Sequence, residues 1–172
     1  GLFFCCRAVL PSMRAQKSGK IINIASGTVF AGSPGRIHYV TSKMATIGFT
    51  RTLAHEVGDD NINVNVLAPG NTLSEENPSQ EVIRLRESSA GLRALKRIQM
   101  PQDVVGAMLF MASPLSDFIT GQTVNVDGGA RGNLIEPLSA LQALDRDALG
   151  GDGVGGRQGL VHHARHRHHR HV

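Results

Sequence analysis

Apolar residues at positions 2, 3, 6, 9, 10 and 13 of GLFFCCRAVLPSMRAQKSG fall close to a helical period, and Ser18-Gly19 supplies a stop. Pro11 lies inside this predicted helix and is expected to kink it or remove one hydrogen bond. KIINIAS, residues 20–26, follows as a nearly continuous apolar run, the pattern of a strand covered on both faces. After a turn at Ser33-Pro34-Gly35, Val40, Met44, Ile47, Leu53 and Val57 restore helical spacing over residues 37–57. INVNVLAPG, residues 62–70, reads as a second buried strand ended by a Pro-Gly break. Residues 71–100 are polar and mixed, and predict a loop with a short helix at about 80–94. PQDVVGAMLFMAS, residues 101–113, begins with a proline suited to a first helical turn and predicts a further helix. QTVNVDGG, residues 122–129, closes the series as a strand.

Strands alternating with helices of this length imply βαβ units and a parallel sheet, an α/β protein. Three strands are too few for a complete doubly wound sheet, and no Gly-rich phosphate-binding loop lies between a strand and a helix; the glycines at 149–159 do not serve. These residues therefore do not predict a complete doubly wound sheet. After Arg131 the character changes, dividing the chain into a domain of residues 1–130 and a Gly/His/Arg tail of residues 131–172. Histidine clusters bind metals and Arg/His runs bind nucleic acid, but this tail has too few apolar residues to fold and is expected to be disordered, with no metal site or other function assigned to it.

A chain of 172 residues can bury a real core without disulfides or metal. No apolar run approaches the roughly 18 to 20 residues of a membrane span, and the first ten residues lack the basic start of a secretory signal. The first residue is Gly1 rather than Met, so the expectation of a cytoplasmic protein with no membrane partner rests on what the sequence lacks. Cys5 and Cys6 are adjacent, which suits neither an ordinary bridge nor a zinc or redox motif. The formal charge of +4 divides evenly: residues 1–130 hold 12 basic against 10 acidic side chains, and residues 131–172 hold 6 against 4. So small an excess on the folded part implies no nucleic-acid partner.

The chemistry centres on HYVTSK, residues 38–43, which contains the only tyrosine of the chain and, four places later, one of its four lysines. Residues four apart on a helix share a face, so Tyr39 and Lys43 project together. A tyrosine of ordinary pKa near 10 is a poor acid–base catalyst at neutral pH, and lowering it by about three units takes about 4 kcal/mol. An ammonium about 5 Å away at an effective dielectric near 20 contributes about 3 kcal/mol, so the neighbour is of the right type and size. Ser26 ends the first predicted strand, where parallel α/β sheets place their ligand groups, and its hydroxyl can hold the oxygen that Tyr39 protonates.

In GKIINIASG with its serine, YVTSK, INVNVLAPG and FITGQTVNVDGG, in this order and spacing, residues 1 to about 130 resemble the short-chain dehydrogenase/reductase family. The resemblance implies a Rossmann-like fold and an oxidoreductase that uses NAD or NADP to interconvert a ketone and a secondary alcohol. It implies Ser26, Tyr39 and Lys43 as catalytic residues: Tyr39 as general acid/base, Lys43 lowering its pKa and holding the nicotinamide ribose, Ser26 orienting the substrate oxygen. It also implies cofactor contacts from Pro69, Gly70, Thr72 and Ser74. In the family a threonine is usual where Ser74 stands, and an apolar residue is common at the place of Thr72. The family's Gly-rich loop and catalytic asparagine belong before residue 1, so the chain resembles the C-terminal half of such an enzyme, and alone it is expected not to bind the dinucleotide usefully.

Thr28, Val29 and Phe30 follow Ser26; Thr28 and Val29 are read as substrate-binding, with an apolar bias toward an uncharged carbonyl or alcohol substrate. Asn23 and Asn65, inside apolar strands, are read as satisfying backbone groups. Arg84, Arg86, Arg93, Lys96 and Arg97 make the 71–100 region basic; a phosphate-bearing carrier would suit them, but a solvated helix face is the reading preferred. The alternative to an enzyme is a truncated, inactive fragment that acts at most as an oligomerisation or interaction module. In relatives the helices at 1–16 and 37–57 pack subunits together, so a homodimer or homotetramer is expected under either reading.

Overall fold

Helix α1 spans Leu2–Gln16 in the computed structural model, which describes residues 1–130. The tail predicted for residues 131–172 lies outside the described residues. Pro11 sits within α1, on its exposed side. The helix stops one residue before the predicted Ser18-Gly19: Lys17 turns left-handed at φ 50°, its N–H and that of Ser18 return to Arg14 O and Met13 O, and Gly19 instead begins a strand.

Strand β1 is Gly19–Ile24, β2 is Ile62–Pro69 and β3 is Thr123–Val126. All three are parallel in the order β1-β2-β3, with Ile21 opposite Val64 and Leu67 opposite Val124. The central strand carries the burial predicted for both inner strands: Val64, Val66, Leu67 and Ala68 are all at 0 % exposure. β1 differs from the prediction. Ile21 and Asn23 are buried on the face that packs against helices, but Ile24, at the end of the strand on the opposite face, is 43 % exposed.

Helix α2 is the single turn Thr28–Ala31, and α3 runs over Ile37–Glu56 with Thr46, Ile47, Thr50, Leu53 and Ala54 buried at helical spacing. Cys6 of α1, Ile21, Leu53, Ala54, Val57, Ile62 and Val64 form the lower core, and Ala25, Val29, Ile47, Val66 and Ala68 form a second cluster beneath the strand ends. The strand asparagines are consumed structurally: Asn23 Nδ2 donates to Thr50 Oγ1 at 2.8 Å, and Asn65 bonds Ile119 O and Gln122 N–H.

Helix α4 spans Gln80–Gly91, three residues shorter than predicted, and starts where the Ser79 hydroxyl accepts from Val82 N–H. Helix α5 is Gln102–Ala112, with Pro101 at the cap rather than in the first turn. Its start is fastened by Asp103, which takes two 2.6 Å hydrogen bonds from Arg97 and one from Met100 N–H. These donors draw the Asp103 carboxyl from 3.8 down to about 2. A folded-state value below the unfolded one stabilises the fold above pH about 4 and is lost as pH falls toward about 2. Asp103→Asn is therefore expected to flatten the fall of the thermal midpoint between pH 4 and 2; a slope as steep as wild type would show that the pair contributes nothing.

Candidate active site

β1 carries Ser26 at its end because the ladder continues past the strand: Ala25 N–H reaches Leu67 O and Gly27 N–H reaches Pro69 O, both at 2.9 Å. Ser26 is thereby held at 9 % exposure. Its hydroxyl donates to Thr28 Oγ1 at 3.0 Å and accepts from Thr28 N–H at 3.3 Å. The Gly27–Pro69 bond also joins the Ser26 turn directly to the Pro-Gly break at the end of β2.

Tyr39 and Lys43 stand on the first turns of α3, both partly exposed. Lys43 Nζ donates to Ile24 O at 3.0 Å and lies 5.9 Å from the centre of the Tyr39 ring. The ammonium thus ties α3 to the end of the strand that presents Ser26. An ammonium has three donors, and Ile24 O takes one, which leaves two for ligand oxygens.

Gly70 follows β2 and donates its N–H to Val126 O at 2.8 Å. A Cβ there would meet Gln99 Oε1 at 2.6 Å and Asp127 Cα at 2.8 Å, so only glycine fits between the ends of β2 and β3. Thr72 is partly buried and its hydroxyl donates to Gly70 O at 3.2 Å. Ser74 is exposed, with its N–H on the Glu75 carboxylate at 3.1 Å.

The structure brings Ser26, Thr28, Tyr39, Lys43, Pro69 and Gly70 to the ends of β1 and β2 and the start of α3. Val29 is not among them: at 7 % exposure its side chain belongs to the core with Ile47, Val66 and Ala68. Phe30 packs against the same cluster, so the apolar bias read from this stretch reflects packing.

The basic region is also corrected. Arg93, read as part of a solvated helix face, is 3 % exposed, Arg86 bonds Asn71 and Glu75, and Arg97 is taken by Asp103. Gln99, not singled out in the sequence, is 4 % exposed beneath Gly70. A signal was present in Gly91, which ends α4 and removes Arg93 from the helix face to which periodicity assigned it.

The donors suit the nicotinamide end of a dinucleotide: an ammonium with spare hydrogen bonds, a phenol, and a hydroxyl at Thr72 beside a glycine turn. Among the described residues no Gly-rich turn joins a strand to a helix in the way that would hold a pyrophosphate. Nor do the described residues contain a group of three or more His, Cys, Asp or Glu placed to hold a metal, or a helix long and apolar enough to cross a membrane.

A parallel α/β sheet that gathers Ser, Tyr and Lys at the carboxyl ends of its strands defines a protein of the doubly wound, Rossmann-like class. Residues 1–131 match the family described as Enoyl-(Acyl carrier protein) reductase. The chain is 41 % identical over 132 residues to a 3-oxoacyl-(acyl-carrier-protein) reductase of Synechocystis, covering 75 % of this chain and 51 % of that protein. A reductase of the same name from Thermotoga maritima is 37 % identical over 75 % of this chain and 52 % of its own length. Among solved structures, a 3-oxoacyl-(acyl-carrier-protein) reductase from Brucella melitensis with bound NAD superposes with a TM-score of 0.65 at 37 % identity, over 74 % of this chain and 47 % of that one. A 4-hydroxyisoleucine dehydrogenase complexed with NADH gives 0.65 at 32 % identity, over 77 % of this chain and 55 % of that one. The chain belongs to the short-chain dehydrogenase/reductase family. It spans about half the length of the curated relatives it matches.

Proposed function

We propose that these residues form the catalytic half of an NAD(P)-dependent oxidoreductase that interconverts a ketone and a secondary alcohol. The observation that carries this reading is Lys43, 3.0 Å from Ile24 O and 5.9 Å from the Tyr39 ring centre, at the strand end that presents Ser26. NAD(P), when bound, supplies or accepts the hydride at the substrate carbon. Tyr39 passes its hydroxyl proton to the carbonyl oxygen during reduction and recovers it from the alcohol during oxidation. Ser26 donates its hydroxyl proton to the same oxygen once the Thr28 hydroxyl, which accepts that proton in the free site, turns to donate to Ser26 Oγ instead, and Lys43 offers its two remaining donors to the ribose hydroxyls. Pro69, Gly70 and Thr72 face the nicotinamide, and Ser74 adds a hydroxyl at the outer edge.

The names borne by the Synechocystis and Thermotoga relatives make a 3-oxoacyl thioester the substrate to try first. Reduction of such a thioester by the full-length protein, followed through loss of NADPH or NADH absorbance, tests the reading; no turnover with either cofactor favours the inactive interaction module. Thr28 has a narrower role. Thr28→Val removes the partner of the Ser26 hydroxyl and is expected to lower turnover about fivefold, the worth of a hydrogen bond of about 1 kcal/mol; wild-type turnover would show that Ser26 orients itself.

The same reading includes association of like subunits. Phe3 and Phe4 of α1 are 56 % and 69 % exposed, and Ile37 of α3 is 81 % exposed. Phe3 meets the Phe49 ring edge-on at 6.4 Å, so the two helices share an apolar surface of the kind that homodimers bury. Cys5 and Cys6 are free thiols, as suits a cytoplasmic protein.

A further inference from the structure

Arg93 is the one buried cation among the described residues, and the proposed chemistry does not use it. No carboxylate of the described residues lies within ion-pair distance of it. Burial pushes its guanidinium below the ordinary arginine range, and the nearby charge of Asp127 opposes that shift. A buried charge without an ion-pair partner is costly and needs strong hydrogen bonds to compensate. The guanidinium makes one short bond of this kind, Nη2 to Asn71 O at 2.6 Å, and a second at the edge of hydrogen-bonding range, Nη1 to Arg97 O at 3.5 Å.

Asn71 directly follows Gly70, and its neighbours are fastened as tightly. Gly70 N–H bonds Val126 O, Leu73 N–H bonds Gln99 O, and Gln99 Nε2 reaches Val126 O at 2.6 Å. Gln99 Oε1 has no hydrogen-bond partner and lies against Gly70, whose lack of a side chain admits it. The Asn71 side chain completes the brace, accepting from Arg86 and donating to Ser89 Oγ of α4 at 2.9 Å.

We infer that Arg93 is a positioning residue that fixes the turn at residues 69–72 in the form that receives the nicotinamide end of the cofactor. The cofactor part of this inference rests on the proposed function. The planar fork holds Asn71 O closely and still reaches Arg97 O on a different segment, which explains why arginine rather than lysine stands here: a lysine has a single nitrogen to offer.

The test is amide hydrogen exchange on the 172-residue chain, comparing wild type with Arg93→Met and Arg93→Lys. Arg93→Met is expected to speed exchange of the Gly70 and Leu73 amides at least about tenfold while those of β1 keep their rates, with Arg93→Lys in between. Equal rates at Gly70 and Leu73, or one uniform acceleration along the whole chain, would overturn the inference. Should Arg93→Met fail to fold, Arg93→Lys decides alone, by selective acceleration of the turn or by wild-type rates. A second readout is NADH affinity in the full-length protein, expected to fall at least about tenfold in Arg93→Met through loss of preorganisation. A loosened turn with unchanged affinity would keep the brace and overturn the assignment of this turn to the cofactor.

Discussion

Tyr39→Phe in the full-length protein is expected to cut turnover at least about 100-fold, the usual worth of a general acid, with little change in thermal midpoint. The substitution removes only the hydroxyl. The ring stays on the first turn of α3, and Lys43 keeps its bond to Ile24 O, so the scaffold has no reason to move. Steady-state rates together with a melting curve separate the two effects: a large loss of rate at an unchanged midpoint assigns the proton transfer to Tyr39, and unchanged turnover removes it from the mechanism.

The second large effect lies at Gly70. An alanine there places its methyl carbon 2.6 Å from Gln99 Oε1 and 2.8 Å from Asp127 Cα. The second of these is backbone at the end of β3, and Gly70 N–H is itself bonded to Val126 O, so relief requires opening the β2–β3 ladder. Overpacking of this kind costs about 1–3 kcal/mol, and the turn proposed to receive the nicotinamide is displaced with it. Gly70→Ala is therefore expected to lower both the thermal midpoint and cofactor affinity. Gly48→Ala is the control, because nothing lies within 4 Å of a Cβ there and alanine favours the helix that contains it. Equal midpoints for the two variants would show that the close approach at Gly70 is not a constraint.

The order of strands and helices was legible in the hydrophobic pattern because each inner element buries a face of regular period. α3 shows this in part: Ile47 and Leu53 take the core positions that the spacing predicts, Met44 is exposed and Thr50 is buried instead, and Tyr39 and Lys43 stand one helical turn apart near its start. Periodicity says less about elements whose cover comes from beyond their own segment. KIINIAS has the composition of a doubly buried strand, yet Ile24 stands half-open because composition does not record which face a neighbour reaches. Val29 was drawn toward the substrate by its nearness to Ser26, but one turn of helix swings it into the core. Arg93 was hidden for the opposite reason: charge marks a residue as solvated unless the carbonyls that can hold it are known, and those of Asn71 and Arg97 come together only in the folded chain.

The Ser26–Tyr39–Lys43 site is proposed to promote hydride transfer between a nicotinamide and a carbonyl carbon. The most direct measurement of it supplies the full-length protein with NADPH or NADH carrying deuterium at both C4 positions of the nicotinamide and a 3-oxoacyl thioester, and weighs the product by mass spectrometry. Wild type is expected to form a 3-hydroxyacyl product with one deuterium on the carbinol carbon, and Tyr39→Phe almost none. A hydroxyacyl product without deuterium, or the same labelled product at wild-type rate from Tyr39→Phe, would contradict it.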